Sequence, residues 1–169
     1  MSMNTGTKEI VHSGIRTNHG DSMGFTLIEL VIAIAIASIL ATVSVQAYTG
    51  YVEDTRVKKA IGDIKLIEVI LERHRTDAGR YPDNIAIFGD MIPTDPWGNA
   101  YVYLNIENGG KNIKGKVRKD KNLTPLNSDY DLYSAGKDGA SKLPLPPKVS
   151  HDDVIRASNG AYTGLGVDY

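Results

Sequence analysis

Cysteine is absent from this sequence of 169 residues. Disulfides, zinc sites built on thiolates and thiol nucleophiles are therefore excluded. The G-x-S-x-G, H-E-x-x-H, P-loop and dinucleotide fingerprints are also missing. The four His residues are scattered, and although His151 adjoins Asp152 and Asp153, three adjacent residues rarely converge on one metal ion. The sequence therefore predicts a protein that is not an enzyme.

Charge of one sign is not in excess either, because 19 Lys and Arg residues face 20 Asp and Glu residues, for a formal net charge of -1. Without a strongly basic face, we expect no nucleic-acid partner. Charged residues make up 23% of the chain and hydrophobic residues 41%, which is typical of a folded protein. The length allows one modest core.

A long apolar run lies near the N-terminus. From Phe25 to Ala47 the single ionisable residue is Glu29, and the run is close to the ~20 residues that span a hydrocarbon core. A signal peptide, whose apolar part is usually ~7 to 15 residues, and a plain membrane anchor are the alternatives. Basic residues flank the run on both sides, so charge alone leaves its orientation open. Because a carboxylate in lipid is costly, Glu29 is predicted to have a function.

The helical pattern continues beyond the apolar run. Apolar residues recur at steps of three and four, which predicts an amphipathic helix; they are Val57, Ala60, Ile61, Ile64, Ile67 and Leu71. Gly79 is a suitable helix end, and Pro82 opposes continuation. We predict one helix over residues 25–78, with its first half in the membrane and its second half covered by a small domain. A coiled-coil stalk is the alternative, although charges mark no sustained heptad.

The remaining residues, 79–169, predict a small domain. Residues 100–106 alternate in a strand-like way after a turn-rich loop, and residues 130–134 form a second short strand. The basic segment between them, KNIKGKVRKDKNLTPLN at residues 111–127, is predicted to be a solvated loop rather than a binding patch. The predicted fold class is α+β: a long N-terminal α-helix packed on a small antiparallel β-sheet, with an irregular C-terminal loop region.

Carboxylates are grouped in that C-terminal region. Asp138 lies in a Gly-flanked turn, and Asp152 and Asp153 follow a Pro-rich loop. Calcium takes several carboxylate and carbonyl oxygens at ~2.3 to 2.6 Å, in a geometry loose enough for a loop. The alternative is that these residues form turns and a solvated surface. The spacing is not that of an EF-hand.

The stretch Gly24-Phe25-Thr26-Leu27-Ile28-Glu29, followed by the apolar helix, resembles the N-terminal signature of type IV prepilins and type II secretion pseudopilins. The resemblance implies a leader of residues 1–24, cleavage by prepilin peptidase between Gly24 and Phe25, and N-methylation of Phe25. It also implies that Glu29 pairs with the N-terminal ammonium of a neighbouring subunit. The leader is long for this family, and Met3 and Met23 are alternative starts. Gln46 stands where many members have proline, which favours a continuous helix or local melting set by Gly50.

Three further segments, GRYP, DPWGN and YDLYSAGKDG, resemble one branch of the family, the major pseudopilin of type II secretion systems. With the N-terminal motif, this resemblance touches most of the chain except the leader, residues 107–127 and the tail after Arg156. It implies a structural calcium ion held by the carboxylates of Asp138, Asp152 and Asp153, with the carbonyls of Ala135 and Ala140. The absence of cysteine fits, since many pilins tie down the C-terminal loop with a disulfide.

The expected function is that of a homopolymeric pseudopilus subunit that drives protein export. The implied location is the bacterial inner membrane, as a single-pass protein with its globular domain, residues 79–169, in the periplasm. The implied partners are prepilin peptidase, minor pseudopilins and an inner-membrane assembly platform. A type IV pilin that builds a surface fibre for adhesion, motility or DNA uptake is the alternative. A membrane-anchored binding protein that never polymerises is the third possibility.

Overall fold

The computed structural model describes residues 24–113 and 115–169. The predicted leader therefore lies outside the described residues, apart from Gly24. Helix α1 spans Leu27–Ala78 and is followed by four strands: β1 is Val102–Asn105, β2 is Tyr130–Ser134, β3 is Val154–Ala157 and β4 is Tyr162–Leu165. Short 3-10 turns lie at Ile85–Met91, Gly110–Ile113, Lys148–Ser150 and Ser158–Gly160. The chain forms two compact units that divide between Val43 and Ser44. The predicted α+β fold class is confirmed.

The described part of the first unit is the start of α1. Helix α1, which begins in this segment, is long and apolar enough to cross a membrane by length and composition, and every residue from Gly24 to Val43 is exposed. Its apolar side chains therefore need lipid or another molecule to cover them.

The second unit has a core between α1 and one face of the sheet. The buried residues of α1 are Ala60, Ile64, Ile67 and Leu71, and Val57 and Ile61 pack against the same cluster. The amphipathic pattern predicted from the sequence is thus confirmed. Gly79 ends the helix with a positive φ of 73°, and its N–H donates to the carbonyl of Arg75 at 2.8 Å, as in a glycine C-cap.

The sheet is antiparallel throughout, in the order β1-β2-β3-β4. The sequence predicted β1 and β2 but treated the region of β3 and β4 as irregular, which is wrong. All four residues of β3 are buried, so the strand lacks the alternation that marks a half-exposed strand. Val154 packs towards α1, whereas Ile155 and Ala157 belong to a second core on the opposite face.

Segment 107–127 helps to build that second core. Leu126 is 2% exposed and packs with Leu145, Ile155 and Ala157. Lys119 donates to the carbonyl of Leu143 at 3.1 Å, and Leu145 donates to the carbonyl of Lys119 at 3.0 Å. The prediction of a wholly solvated basic loop is therefore wrong: the segment covers the outer face of the sheet.

Candidate assembly and ion-binding sites

Glu29, the predicted assembly residue, is hydrogen-bonded to Thr26 at the N-terminal end of α1. The N–H and hydroxyl of Thr26 each donate to the Glu29 carboxylate at 2.8 Å, and the Glu29 N–H donates to the Thr26 hydroxyl at 3.3 Å. This is a capping box, in which two otherwise unpaired backbone donors are satisfied reciprocally. The T-x-x-E spacing in the sequence carries this signal, which the sequence analysis did not use. Among the described residues, Glu29 thus has hydrogen-bond donors but no cationic partner.

The segment around Phe25 and Glu29 offers a large bare apolar surface. The exposed fraction of its large side chains runs from 50% at Val31 to 91% at Phe25. Such a surface marks a membrane or protein contact. The predicted processing residues Gly24 and Phe25 lie directly before the helix, in non-helical backbone.

The DPWGN stretch is a structural turn locked to the end of β2. Asp95 is 3% exposed and accepts the N–H of Trp97 at 3.1 Å and that of Asn99 at 2.7 Å. Its other oxygen accepts the Ser134 hydroxyl. The Trp97 indole N–H reaches Glu53 on α1 at 2.9 Å. These contacts place the turn after β2, residues 135–140, against the rest of the unit.

Asp138 and Asp152, two of the three predicted carboxylate ligands, meet at this turn. The N–H of Asp138 donates to the Asp152 carboxylate at 3.1 Å, and the Asp138 carboxylate accepts the N–H of Ala140 at 2.8 Å. Gly136 has a positive φ of 67°, and a side chain there would collide with the carbonyl of Asp152. Of the predicted carbonyl ligands, Ala135 is buried and Ala140 is exposed. Carboxylates therefore serve here as hydrogen-bond acceptors for the turn.

Asp153 is held in a different environment. It is completely buried, and one carboxylate oxygen accepts the Arg118 guanidinium at 2.6 Å and the Ser141 hydroxyl at 2.6 Å. Asp152 and Asp153 thus have different partners although they are adjacent in the chain. Sequence reasoning missed Arg118, because a basic residue among scattered Lys carries no signal of burial.

Arg118 is 1% exposed and contacts several elements at once. Its guanidinium also donates to Ser141 at 2.7 Å and lies 4.0 Å from the ring centroid of Tyr133. Its backbone N–H donates to the buried carboxylate of Asp131 at 2.7 Å. Burial raises the pKa of Asp131 and of Asp153, while the hydrogen bonds and the Arg118 charge act in the opposite direction.

A calcium ion does not fit this arrangement well. Among the described residues, no three His, Cys, Asp or Glu side chains are grouped so that they could hold a metal ion. Calcium takes roughly six to eight oxygens, yet Asp153 already faces a guanidinium. The Asp152 carboxylate accepts the N–H of Asp138, and the Asp138 carboxylate accepts the N–H of Ala140. Calcium binding stays a prediction, and the geometry does not favour it.

The sequence disfavours a transition-metal site at His151, Asp152 and Asp153, and these three residues have separate partners in the structure. The His151 ring contacts the carbonyl of Pro146 at 3.1 Å, and its neighbours Asp152 and Asp153 have the separate partners described above. His74 packs its ring edge against Phe88, with 5.5 Å between centroids. Both His rings therefore make contacts within the folded chain.

Comparisons with known proteins agree with these features. The description "Prokaryotic N-terminal methylation motif" matches residues 24–45. The type II secretion system core protein G of Pseudomonas aeruginosa is 30% identical over 137 residues, which cover 69% of this chain and 84% of the relative. The protein of the same name from Escherichia coli strain K12 is 29% identical over 137 residues, which cover 69% and 82%.

Pilins are also among the relatives. A fimbrial protein of Neisseria meningitidis is 35% identical over 143 residues, which cover 80% of this chain and 79% of the relative. No solved structure matches. The names of these three relatives are those of secretion-system and fimbrial proteins, in agreement with a structural role. Together with the motif before the apolar helix, they show that the chain belongs to the prepilin-like family of type IV pilins and type II secretion pseudopilins.

Proposed function

We propose that this protein is a structural subunit of a type II secretion pseudopilus, which prepilin peptidase processes and which polymerises through its N-terminal helix to drive protein export. The observation that carries the proposal is the bare apolar start of α1 directly after Gly24 and Phe25. In lipid this surface is covered by acyl chains, and in a filament it is covered by the helices of neighbouring subunits. One segment therefore serves as membrane anchor before assembly and as filament core afterwards.

Glu29 makes the transfer of the helix from lipid into the filament selective. Its carboxylate has donors from Thr26 but no cationic partner in the part of the chain that the structure describes. Cleavage before Phe25 creates an N-terminal ammonium on every subunit, and a carboxylate and an ammonium that are each costly in an apolar medium become complementary when two subunits meet. We infer that the Glu29 of one subunit pairs with the ammonium of the next.

The proposed location is the inner membrane, with the globular unit in the periplasm. Prepilin peptidase, an inner-membrane assembly platform and minor pseudopilins are the proposed partners, and a separate cytoplasmic ATPase supplies the energy. Growth of the filament then pushes or gates a secreted substrate.

A type IV pilin is the second candidate, favoured by the identity to the neisserial fimbrial protein. The two candidates differ in their product: a pilus is a long extracellular fibre, and a pseudopilus is normally short and periplasmic. Electron microscopy of shed and cell-bound filaments, with measurement of protein secretion in a strain that lacks the subunit, separates them.

The first test is the intact mass of the protein isolated from membranes of cells that contain prepilin peptidase. We expect a chain that begins at N-methylated Phe25, because the motif places the cut after Gly24. A Gly24→Val variant is the matched control and should keep its leader. An uncut wild-type chain, or a cut elsewhere, would contradict the proposal and favour an ordinary anchored protein.

A further inference from the structure

We propose that the guanidinium of Arg118 is an internal cation that organises the C-terminal region in place of a calcium ion, so that this domain folds without a metal. The inference concerns the stability of the second unit, so its test does not depend on filament assembly.

Arg118 joins the pieces that a bound ion would have to clamp. Its side chain contacts Ser141 in the loop after β2 and Asp153 directly before β3. Its backbone N–H contacts Asp131 in β2. A single residue thus ties the loop to two adjacent strands, in a chain that has no disulfide to do so.

The origin of Arg118 supports this role. It comes from the basic segment 107–127, which the resemblance to major pseudopilins does not cover. This segment is anchored at Arg118 and at the residue that follows it: Leu126 donates its N–H to the carbonyl of Arg118 at 3.0 Å, and Lys119 forms a β-bridge with Pro144. Segment 107–127 therefore delivers a positive charge to a fixed position.

Asp153 already has a cationic partner, the guanidinium of Arg118, which disfavours a second cation at the same place. Two buried side-chain atoms of this ion pair have no partner among the described residues, and they are one donor, Nε of Arg118, and one acceptor, Oδ1 of Asp153. The open acceptor of this pair is thus a single oxygen, whereas calcium takes roughly six to eight. A divalent ion at Asp153 would also lie close to the guanidinium, and like charges at such distances repel strongly in a protein interior.

The loop is held by other contacts that need no ion. The Ser150 hydroxyl accepts the N–H of Lys142 at 3.0 Å and donates to its carbonyl at 3.1 Å. Leu145 is 3% exposed and lies in the second core. These contacts fix the middle of the loop, and Arg118 fixes its two ends.

The first experiment is thermal unfolding of the full-length protein in detergent, with either calcium chloride or a calcium chelator. We expect the same melting temperature in both buffers. A folded-state site saturated to ~100 times its Kd would raise the melting temperature by several degrees. A calcium-dependent rise that disappears in Asp153→Asn or Asp138→Asn would overturn the proposal.

Variants test the internal cation directly. Arg118→Met should lower the melting temperature by on the order of 10 °C, since it leaves a buried carboxylate unpaired. The double variant Arg118→Met with Asp153→Asn should lose less than the sum of its two single variants, because the pair is removed together. Lys119→Met, at an exposed neighbouring position, is the control and should change little.

An unchanged melting temperature in Arg118→Met would contradict the inference, and so would strictly additive losses in the double variant. If Arg118→Met does not fold, the comparison of wild-type protein in calcium and in chelator still decides between the two cations.

Discussion

At the scale of single residues, Arg156 shows how this fold uses a buried charge. It is 3% exposed and bonds Glu68 on α1 at 2.6 Å through Nε. Its two terminal nitrogens bond the two oxygens of Asp129 at 2.8 and 2.7 Å, and the guanidinium lies 4.0 Å from the ring centroid of Tyr130. The planar guanidinium of Arg156 thus links β3 to α1 and to the residue before β2.

We expect Arg156→Lys to destabilise the protein although it conserves the charge. An ammonium cannot reproduce the bidentate contact with Asp129 while it also reaches Glu68, and it loses the stacking on Tyr130. The free energy of unfolding, measured by urea denaturation of the full chain in detergent, should fall by on the order of 2 kcal/mol.

Arg73→Lys is the matched control for this substitution. The ion pair between Arg73 and Asp77 has an N–O distance of 3.9 Å and is highly exposed. The free energy of unfolding of Arg73→Lys should therefore fall by less than ~0.5 kcal/mol. Equal effects at positions 156 and 73 would show that the planar geometry of Arg156 contributes nothing.

At the scale of elements, the junction after α1 depends on Tyr81. Its hydroxyl donates to Glu72 and accepts from Arg75 at 3.1 Å, and its ring packs 4.8 Å from the ring of Tyr130. The carbonyl of Tyr81 accepts the side-chain N–H of the buried Asn105 in β1 at 3.1 Å. These contacts fix the chain reversal after Gly79 against both the helix and the sheet.

This junction should make stability sensitive to alkaline pH. Burial raises the pKa of Tyr81 from 10.0 to about 12, and its hydrogen bond to Glu72 adds to the rise. The folded state therefore holds the phenol proton more tightly than the unfolded state, so the stabilisation is fully present below pH 10 and is lost between pH 10 and 12. One such proton contributes up to ~1.4 kcal/mol per pH unit to the slope.

Tyr81→Phe should be less stable at neutral pH by ~1 kcal/mol, because hydrogen bonds are lost, but should lose less further stability between pH 10 and 12. Urea denaturation at a series of pH values measures both effects. Tyr51→Phe, whose side chain is 71% exposed, is the control and should have the wild-type slope. A wild-type slope in Tyr81→Phe would contradict the assignment.

The elements also differ in how readily the sequence predicts them. Helix α1, its buried stripe and the Gly79 end follow from periodicity and backbone chemistry, and β1 and β2 follow from their turn-bounded apolar residues. Strand β3 is buried on both faces, so its sequence has no alternation. The position of Arg118 depends on contacts with residues 13 to 35 positions away in the chain, which no local pattern encodes. For the same reason, the three Asp residues looked like one cluster in the sequence and have different partners in the fold.

At the scale of the whole molecule, the two units differ in how their apolar and charged side chains are covered and paired. The second unit has two hydrophobic cores and buries both Arg118 and Arg156 with carboxylate partners. The described part of the first unit, residues 24–43, leaves its apolar residues exposed and gives Glu29 no cationic partner. The second unit therefore pairs most of its buried charges by internal contacts, whereas the start of the helix has an apolar surface that no described residue covers. Variants in the first unit should therefore affect assembly and leave domain stability unchanged.

Glu29→Gln is the sharpest test of this division. Glutamine can keep the capping box with Thr26, so the substitution removes the charge and preserves the local hydrogen bonds. We expect normal membrane insertion, cleavage after Gly24 and domain stability, with filament yield reduced at least ~10-fold, which corresponds to only ~1.4 kcal/mol per subunit contact. Thr26→Ser keeps both the hydroxyl and Glu29 and should assemble normally. Quantified filaments from matched membranes are the measurement, and a normal yield from Glu29→Gln would show that the helix assembles by apolar packing without an intersubunit ion pair.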